Sequence, residues 1–244
     1  MIKQITLEDI LFLDIETVPQ NADFNELDNK TQKLWDKKST HFRLENQSAE
    51  DVYGRAGIYA EFGKIICISA GILYLQDGNQ KLRIKSFASE NEKELLIEFK
   101  ALVQKLELEK KNKFCAHNGK EFDFPYIARR WLINGIPLPL SFDVAGKKPW
   151  EVPFIDTMEL WRFGDYKNYT SLDLLTHIFG IPTPKIDMDG SMVADVFWKE
   201  KNLARIVTYC QNDVIAIVQL MKKYRCEELI REEDIVVVEE EGNE

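Results

Sequence analysis

Ile10-Leu11-Phe12-Leu13 is a continuous apolar run that stops at Asp14-Ile15-Glu16. An unbroken run of this kind reads as a strand buried on both faces, at the centre of a sheet. Residues two apart on a strand share a face, so Asp14 and Glu16 emerge together where the buried run ends. Two carboxylates so placed repel each other, which raises a pKa or costs stability. A divalent cation between them removes the conflict. Taken singly, the pair is compatible with a strand end running out into solvent. The remaining acidic motifs decide between the two.

After Pro19 the chain turns polar as far as Gly63, with scattered aromatics such as Trp35, Phe42, Tyr53 and Tyr59. It reads as an inserted helical or irregular excursion. Ile65 to Leu75 is a second long apolar stretch, Gln76-Asp77-Gly78-Asn79 a hairpin turn, and Lys81 to Lys85 an alternating return strand. Helical spacing aligns Leu95, Leu96, Phe99, Leu102, Val103 and Leu106 within Glu92–Lys110. Lys113-Phe114-Cys115-Ala116 is a short strand candidate. A helix is expected from near Pro125 to about Asn134, ended by Gly135. Ser171 to Phe179 is a short helix closed by Gly180. Leu203 to about Arg225 is the clearest helix, with an apolar stripe through Ile206, Cys210, Val214, Ile217 and Met221. Strands first, then helices to wrap them, give an α/β domain with a mixed central sheet flanked by helices.

The chain has 244 residues, of which 45% are hydrophobic, enough for a proper core. No run of 18 apolar residues offers a membrane span, and Met1-Ile2-Lys3-Gln4 lacks a secretory layout. Cys67, Cys115, Cys210 and Cys226 form no C-x-x-C pair, and His41, His117 and His177 form no ligand spacing. Reduced core cysteines in a cytoplasmic protein are expected. A net charge of −9 argues against a broad basic nucleic-acid surface. It leaves room for an enzyme that grips a few nucleotides at one end.

Two further places carry carboxylates. Asn118-Gly119-Lys120-Glu121-Phe122-Asp123 follows a strand, where Gly119 permits a tight backbone approach to a ligand and Asp123 stands at the mouth of the next helix. An ordinary helix cap is the plain alternative for Asp123. In Tyr209-Cys210-Gln211-Asn212-Asp213, Tyr209 and Asp213 stack four apart beside the apolar stripe. Four oxygen ligands without imidazole or thiolate favour magnesium or manganese over zinc. Two such ions about 3.5–4 Å apart clamp the attacking and leaving oxygens of a phosphodiester. Tyr209, with an ordinary pKa near ~10, suits orienting the water better than deprotonating it. Asp156 also ends an apolar run, and its expected role is structural. Asp187-Met188-Asp189-Gly190 lacks the ligands of a calcium loop.

In this order, D-I-E, N-G-K-E-F-D and Y-C-Q-N-D resemble the three exonuclease motifs of the DEDD superfamily, and the tyrosine marks the DEDDy branch. The match is similar above all to predicted standalone exonucleases related to the proofreading domain of family B DNA polymerases. Ser171-Leu172-Asp173 and Met188-Asp189-Gly190-Ser191 support it. The resemblance spans roughly residues 8 to 225 and implies a ribonuclease H-like fold. It implies that Asp14, Glu16 and Asp213 hold the ion that activates water. Asp14 would bridge to a second ion supported by Asp123, and Tyr209 would position the nucleophile. Thr17 (through its backbone), Asn118 and Phe122 would grip the terminal nucleotide.

The implied organisation is one 3′→5′ exonuclease domain over residues 1–230, with the polar insertion at about 19–63 and an acidic tail at 231–244. Glu239 to Glu244 are expected to be disordered. No polymerase segment is expected, so editing in cis is not. The substrate implied is the 3′ end of a single strand, DNA before RNA, with two divalent cations, Mg2+ or Mn2+. An RNA-trimming exonuclease would share fold and metals. A catalytically silent nucleic-acid-binding module would keep the fold and lose ligands, which this sequence does not do.

Overall fold

The computed structural model describes residues 2–111, 113–165, 169–182 and 188–238. In chain order its main elements are β1 (Ile10–Pro19), α1 (Asn29–Ser39), β2 (Gly63–Gln76), β3 (Asn79–Ala88), α2 (Glu92–Leu108), β4 (Lys113–Ala116), α3 (Asp123–Ile133), β5 (Ile155–Asp156), α4 (Thr157–Arg162), α5 (Leu172–Phe179), α6 (Val193–Trp198), α7 (Leu203–Tyr224) and β6 (Ile235–Val238). The strands form one sheet in the order β5-β4-β1-β2-β3-β6. β1–β2 and β2–β3 are antiparallel; β1–β4, β4–β5 and β3–β6 are parallel. The apolar run thus sits inside the sheet, as a strand with both faces covered must.

Period-two alternation along β1 sorts its side chains between two layers. Leu11, Leu13 and Ile15 point into a core shared with Leu96, Phe99, Tyr126, Ile127 and Trp131 of α2 and α3. Ile10 and Phe12 point the other way, onto Val214, Ile217 and Met221 of α7. Asp14 and Glu16 continue that second face. The strand does not end at the acids. It runs on to Pro19, so both acids sit mid-strand, opposite Ser69 and Cys67 of β2, with a register shift just after Glu16.

The polar excursion has its own small core. Trp35 is fully buried and donates its ring N–H to the Ala49 carbonyl, 2.8 Å. Phe42, Tyr53, Tyr59 and Phe62 pack around it. α1 starts where the Asp28 carboxylate accepts from the Lys30 and Thr31 amides. The Tyr126 hydroxyl donates to the Gly57 carbonyl at 2.8 Å, tying the excursion to α3.

Ile235–Val238, within the stretch the sequence reading treats as tail, pair with β3 and extend the sheet past residue 230. Four β-branched residues in a row suit a strand despite acidic neighbours. The expectation of disorder at Glu239–Glu244 lies outside the described residues. Among the described residues no helix is long and apolar enough to cross a membrane.

Candidate active site

β4 pairs with β1 only as far as Phe12. Beyond that point the two parallel strands part, and the backbone of β1 loses its partner on that side. The Ile15 amide instead donates to the Asp123 carboxylate at 3.2 Å. A side chain from the mouth of α3 thereby fills the gap next to Asp14 and Glu16. Asp123 is the first helical residue and is buried; its carboxylate faces β1 rather than capping α3.

The loop that delivers Asp123 is anchored by Asp156. This buried carboxylate accepts from the amides of Asn118 (2.9 Å), Lys120 (3.1 Å) and Met158 (2.9 Å), so it joins the loop after β4 to the start of α4. Asn118 adopts φ 60°, a left-handed conformation asparagine tolerates. Gly119 is needed for packing. A Cβ there would lie 2.4 Å from the Ala116 Cβ and 2.9 Å from the Phe124 ring.

From the opposite layer, the buried stripe of α7 sets Tyr209 and Asp213 at the sheet's open end. Their side chains hydrogen-bond to each other. They line a cleft of about 390 Å³ together with Asp14, His117, Tyr169 and Asp173. His117 is held by Thr157 Oγ1 and the Thr170 carbonyl, both 2.9 Å, and burial keeps its pKa below the ordinary value.

The electrostatics follow from gathering acids in a poorly solvated place. Burial, then the charges of Asp213, Glu16 and Asp123, push the Asp14 carboxyl well above its usual range. Burial, then Asp213, Cys67 and Asp123, raise Glu16 well above its usual range. Asp123 is pushed up to about 8, chiefly by burial, and Asp213 to about 6, again by burial first, with Asp173 adding to it. Asp14 faces the cleft, yet its Oδ2 is buried with no hydrogen-bond partner. An acceptor left bare among raised carboxyls fits a hard cation that the surrounding side chains do not replace.

Asp14, Glu16 and Cys210 offer ligand atoms all within 4.8 Å of one another, a group among the described residues that does not include Asp123 or Asp213. Burial holds the Cys210 thiol well above its ordinary pKa, and it donates to the Asp14 carbonyl at 3.3 Å. It is therefore a core thiol bonded to backbone, and the donor set remains carboxylate oxygen. Tyr209 is raised by burial and by Asp213, Glu16 and Asp14, so it stays a hydroxyl at any working pH.

The structure thus brings Asp14, Glu16, Asp123, Tyr209 and Asp213 together from β1, α3 and α7. The three residues expected to grip the nucleotide lie outside the cleft lining. Thr17 hydrogen-bonds the Tyr126 hydroxyl. Phe122 packs on the Tyr126 ring, centroids 5.4 Å apart. The side-chain oxygen of Asn118 is buried without a partner. Asp173 belongs to the Ser171-Leu172-Asp173 motif, to which the sequence assigns no role in the site, and Tyr169 carries no sequence signal beyond its closeness to that motif.

A family model described as a predicted 3′→5′ exonuclease related to the exonuclease domain of PolB matches residues 58–231. The chain belongs to this family. The matched span holds Asp123, Tyr209 and Asp213 and begins after Asp14 and Glu16. Membership makes the protein a hydrolase of the exonuclease kind. Among solved structures, the family B DNA polymerase from the hyperthermophilic archaeon Pyrobaculum calidifontis is similar over 88% of this chain, with 15% identity and a TM-score of 0.53. The likeness is one of fold, and the mixed sheet with flanking helices is the ribonuclease H-like arrangement. This chain spans 24% of that polymerase's length. No curated protein matches.

Proposed function

We propose that the protein is a metal-dependent exonuclease that removes nucleotides from the 3′ end of single-stranded nucleic acid, DNA in preference to RNA. Two divalent cations, Mg2+ or Mn2+, would be held by Asp14, Glu16, Asp123 and Asp213. The observation that carries this reading is the convergence of these carboxyls around the bare, buried Oδ2 of Asp14. When bound, such ions supply an activated water and neutralise charge on the scissile phosphate. Asp14 and Glu16 share one face of a rigid strand and fix the spacing of the donors. Tyr209, kept protonated and hydrogen-bonded to Asp213, orients the water without taking its proton. Asn118, whose buried Oδ1 has no partner in the protein, would with Phe122 and the backbone of Thr17 grip the terminal nucleotide. DNA is favoured because the family is related to the exonuclease domain of PolB. Free cysteines, three of them buried, fit a reducing compartment such as the cytoplasm.

The test uses matched DNA and RNA single strands labelled at the 5′ end, with Mn2+ and with chelator. A descending ladder that chelator abolishes is expected, faster on DNA. Asp14→Ala should lose several orders of magnitude in rate, since each ~1.4 kcal/mol of transition-state stabilisation is tenfold. Tyr209→Phe should lose less. Faster loss of RNA would select the RNA-trimming reading. Binding without degradation of either strand would select a silent module.

A further inference from the structure

The cleft beside Asp14 has a lining that is unusual for a site that holds a polyanion. Asp14, Asp173, Asp189 and Asp213 all contribute to it, and among the described residues that line it there is no lysine or arginine. A strand is ordinarily gripped through its phosphates by cations, and neutralised phosphates give binding its salt dependence. Among the described lining residues, what remains to meet a phosphate is a few uncharged donors such as Ser171, Thr176 and Asn212, besides the cations at the carboxylates. With no described cation in the lining, the base and sugar are the larger handles for affinity.

One side chain of the lining suits a base. Tyr169 borders the cleft and is 67% exposed, so a large aromatic face stands open to solvent. It belongs to the segment leading into α5 and is next in sequence to Thr170, whose carbonyl is fixed by His117 at 2.9 Å. His117 in turn is bonded to Thr157 at the start of α4. The aromatic face is therefore carried by backbone pinned to the rim of the acidic site. A cleft of about 390 Å³ is at the small end of ligand pockets, which run to roughly 300–1,000 Å³. That is room for one nucleotide, not for a base pair.

We infer that Tyr169 is the base-stacking platform for the terminal nucleotide of the substrate. This rests on the exonuclease reading above and adds to it how the strand is held. Stacking on an aromatic face is tolerant of base identity and needs an unpaired base. The site would accordingly accept any sequence and require the 3′ end to be single-stranded.

The experiment compares wild type, Tyr169→Phe and Tyr169→Ala on a DNA tetranucleotide and on the same tetranucleotide lacking its 3′-terminal base. Tyr169 is exposed, so neither variant disturbs the core. Tyr169→Ala should raise KM roughly 10-fold, the scale of one lost stack, with kcat unchanged. Tyr169→Phe should match wild type, because the ring and not the hydroxyl is used. On the substrate without the terminal base all three proteins should share one high KM. Binding of the intact tetranucleotide to the Asp14→Asn protein, followed by anisotropy between 50 and 200 mM salt in the presence of Mg2+, should weaken only slightly.

An unchanged KM in Tyr169→Ala overturns the inference, and so does a Tyr169→Phe defect as large as that of Tyr169→Ala. A steep salt dependence with no effect of Tyr169 would mean that phosphate contacts hold the strand. These outcomes leave the exonuclease reading standing if wild type still degrades the strand. Conversely, Tyr169-dependent binding to a wild-type protein that degrades nothing would retain the stack and discard the exonuclease.

Discussion

Neutralising Asp123 should make the metal-free protein more stable. Its carboxyl has a folded-state pKa of about 8, against ~3.9 for an unperturbed aspartate. The folded protein therefore holds a proton that the unfolded chain releases. Stability is greatest below about pH 4, falls as pH climbs, and stops falling above about 8. At pH 7.5 the gap between ambient and unfolded pKa is roughly 3.6 units, and at ~1.36 kcal/mol per unit the ceiling is about 5 kcal/mol. Asp14 and Glu16 feel the same charge and share that cost. Asp123→Asn keeps an acceptor for the Ile15 amide and removes the ionisable proton. A gain of ~2–5 kcal/mol is expected in chelator at pH 7.5. With ~2–4 °C per kcal/mol for a chain of this size, that is a Tm rise of at least about 4 °C. At pH 4 the advantage should vanish. Saturating Mn2+ should narrow or close the gap, because a cation that binds only the folded state adds ~2.7 kcal/mol to wild type at 100 times its Kd, and the variant has lost a donor. Differential scanning calorimetry across pH 4–8, with chelator and with Mn2+, reads all three. Should Asp123→Asn melt at or below wild type in chelator at pH 7.5, the picture of mutually repelling, cation-seeking carboxyls is wrong.

Two structural substitutions probe the frame that carries the site. Gly119→Ala drives a methyl to 2.4 Å from the Ala116 Cβ; overpacking should cost ~1–3 kcal/mol in urea unfolding and disturb the loop that delivers Asp123. Arg130→Met removes the charge partner of Glu92, which Arg130 contacts through Nε at 2.8 Å with both groups buried, and leaves the carboxylate only the Ile65 amide and the Asn134 side chain as donors. A loss of ~3–5 kcal/mol is expected, only partly recovered by adding Glu92→Leu, which leaves the Ile65 amide without its acceptor, as a double-mutant cycle would show.

Much of the frame was legible because local rules carried it. The β2–β3 hairpin announced itself through Asp77-Gly78 between alternating runs, and α7 through a stripe that repeats at helical spacing. β1 was legible as a strand but not in its length. The acids at Asp14 and Glu16 look like an end, yet β2 pairs with the strand as far as Pro19 and keeps it extended. β6 was hidden because its acidic neighbours resemble a tail, although Ile235-Val236-Val237-Val238 is a β-branched run. The small core around Trp35 was unreadable: its aromatics are spaced irregularly and meet only when the segment folds on itself.

The sequence by itself determined which residues could share a face: Asp14 with Glu16 through the two-residue period of a strand, Tyr209 with Asp213 through the turn of a helix. Periodicity is local, so it can say that such pairs exist but not what they meet. Tertiary structure decided the rest. The parting of β1 from β4 after Phe12 opened the place that Asp123 enters, 108 residues away in sequence. Asp156 fixed the loop that brings it there. The same packing set Asp173 and Tyr169 on the rim, where no spacing rule points to them. Contacts between segments far apart in the chain depend on how layers stack, and burial, which raises the carboxyls and so favours a cation, exists only once they have stacked.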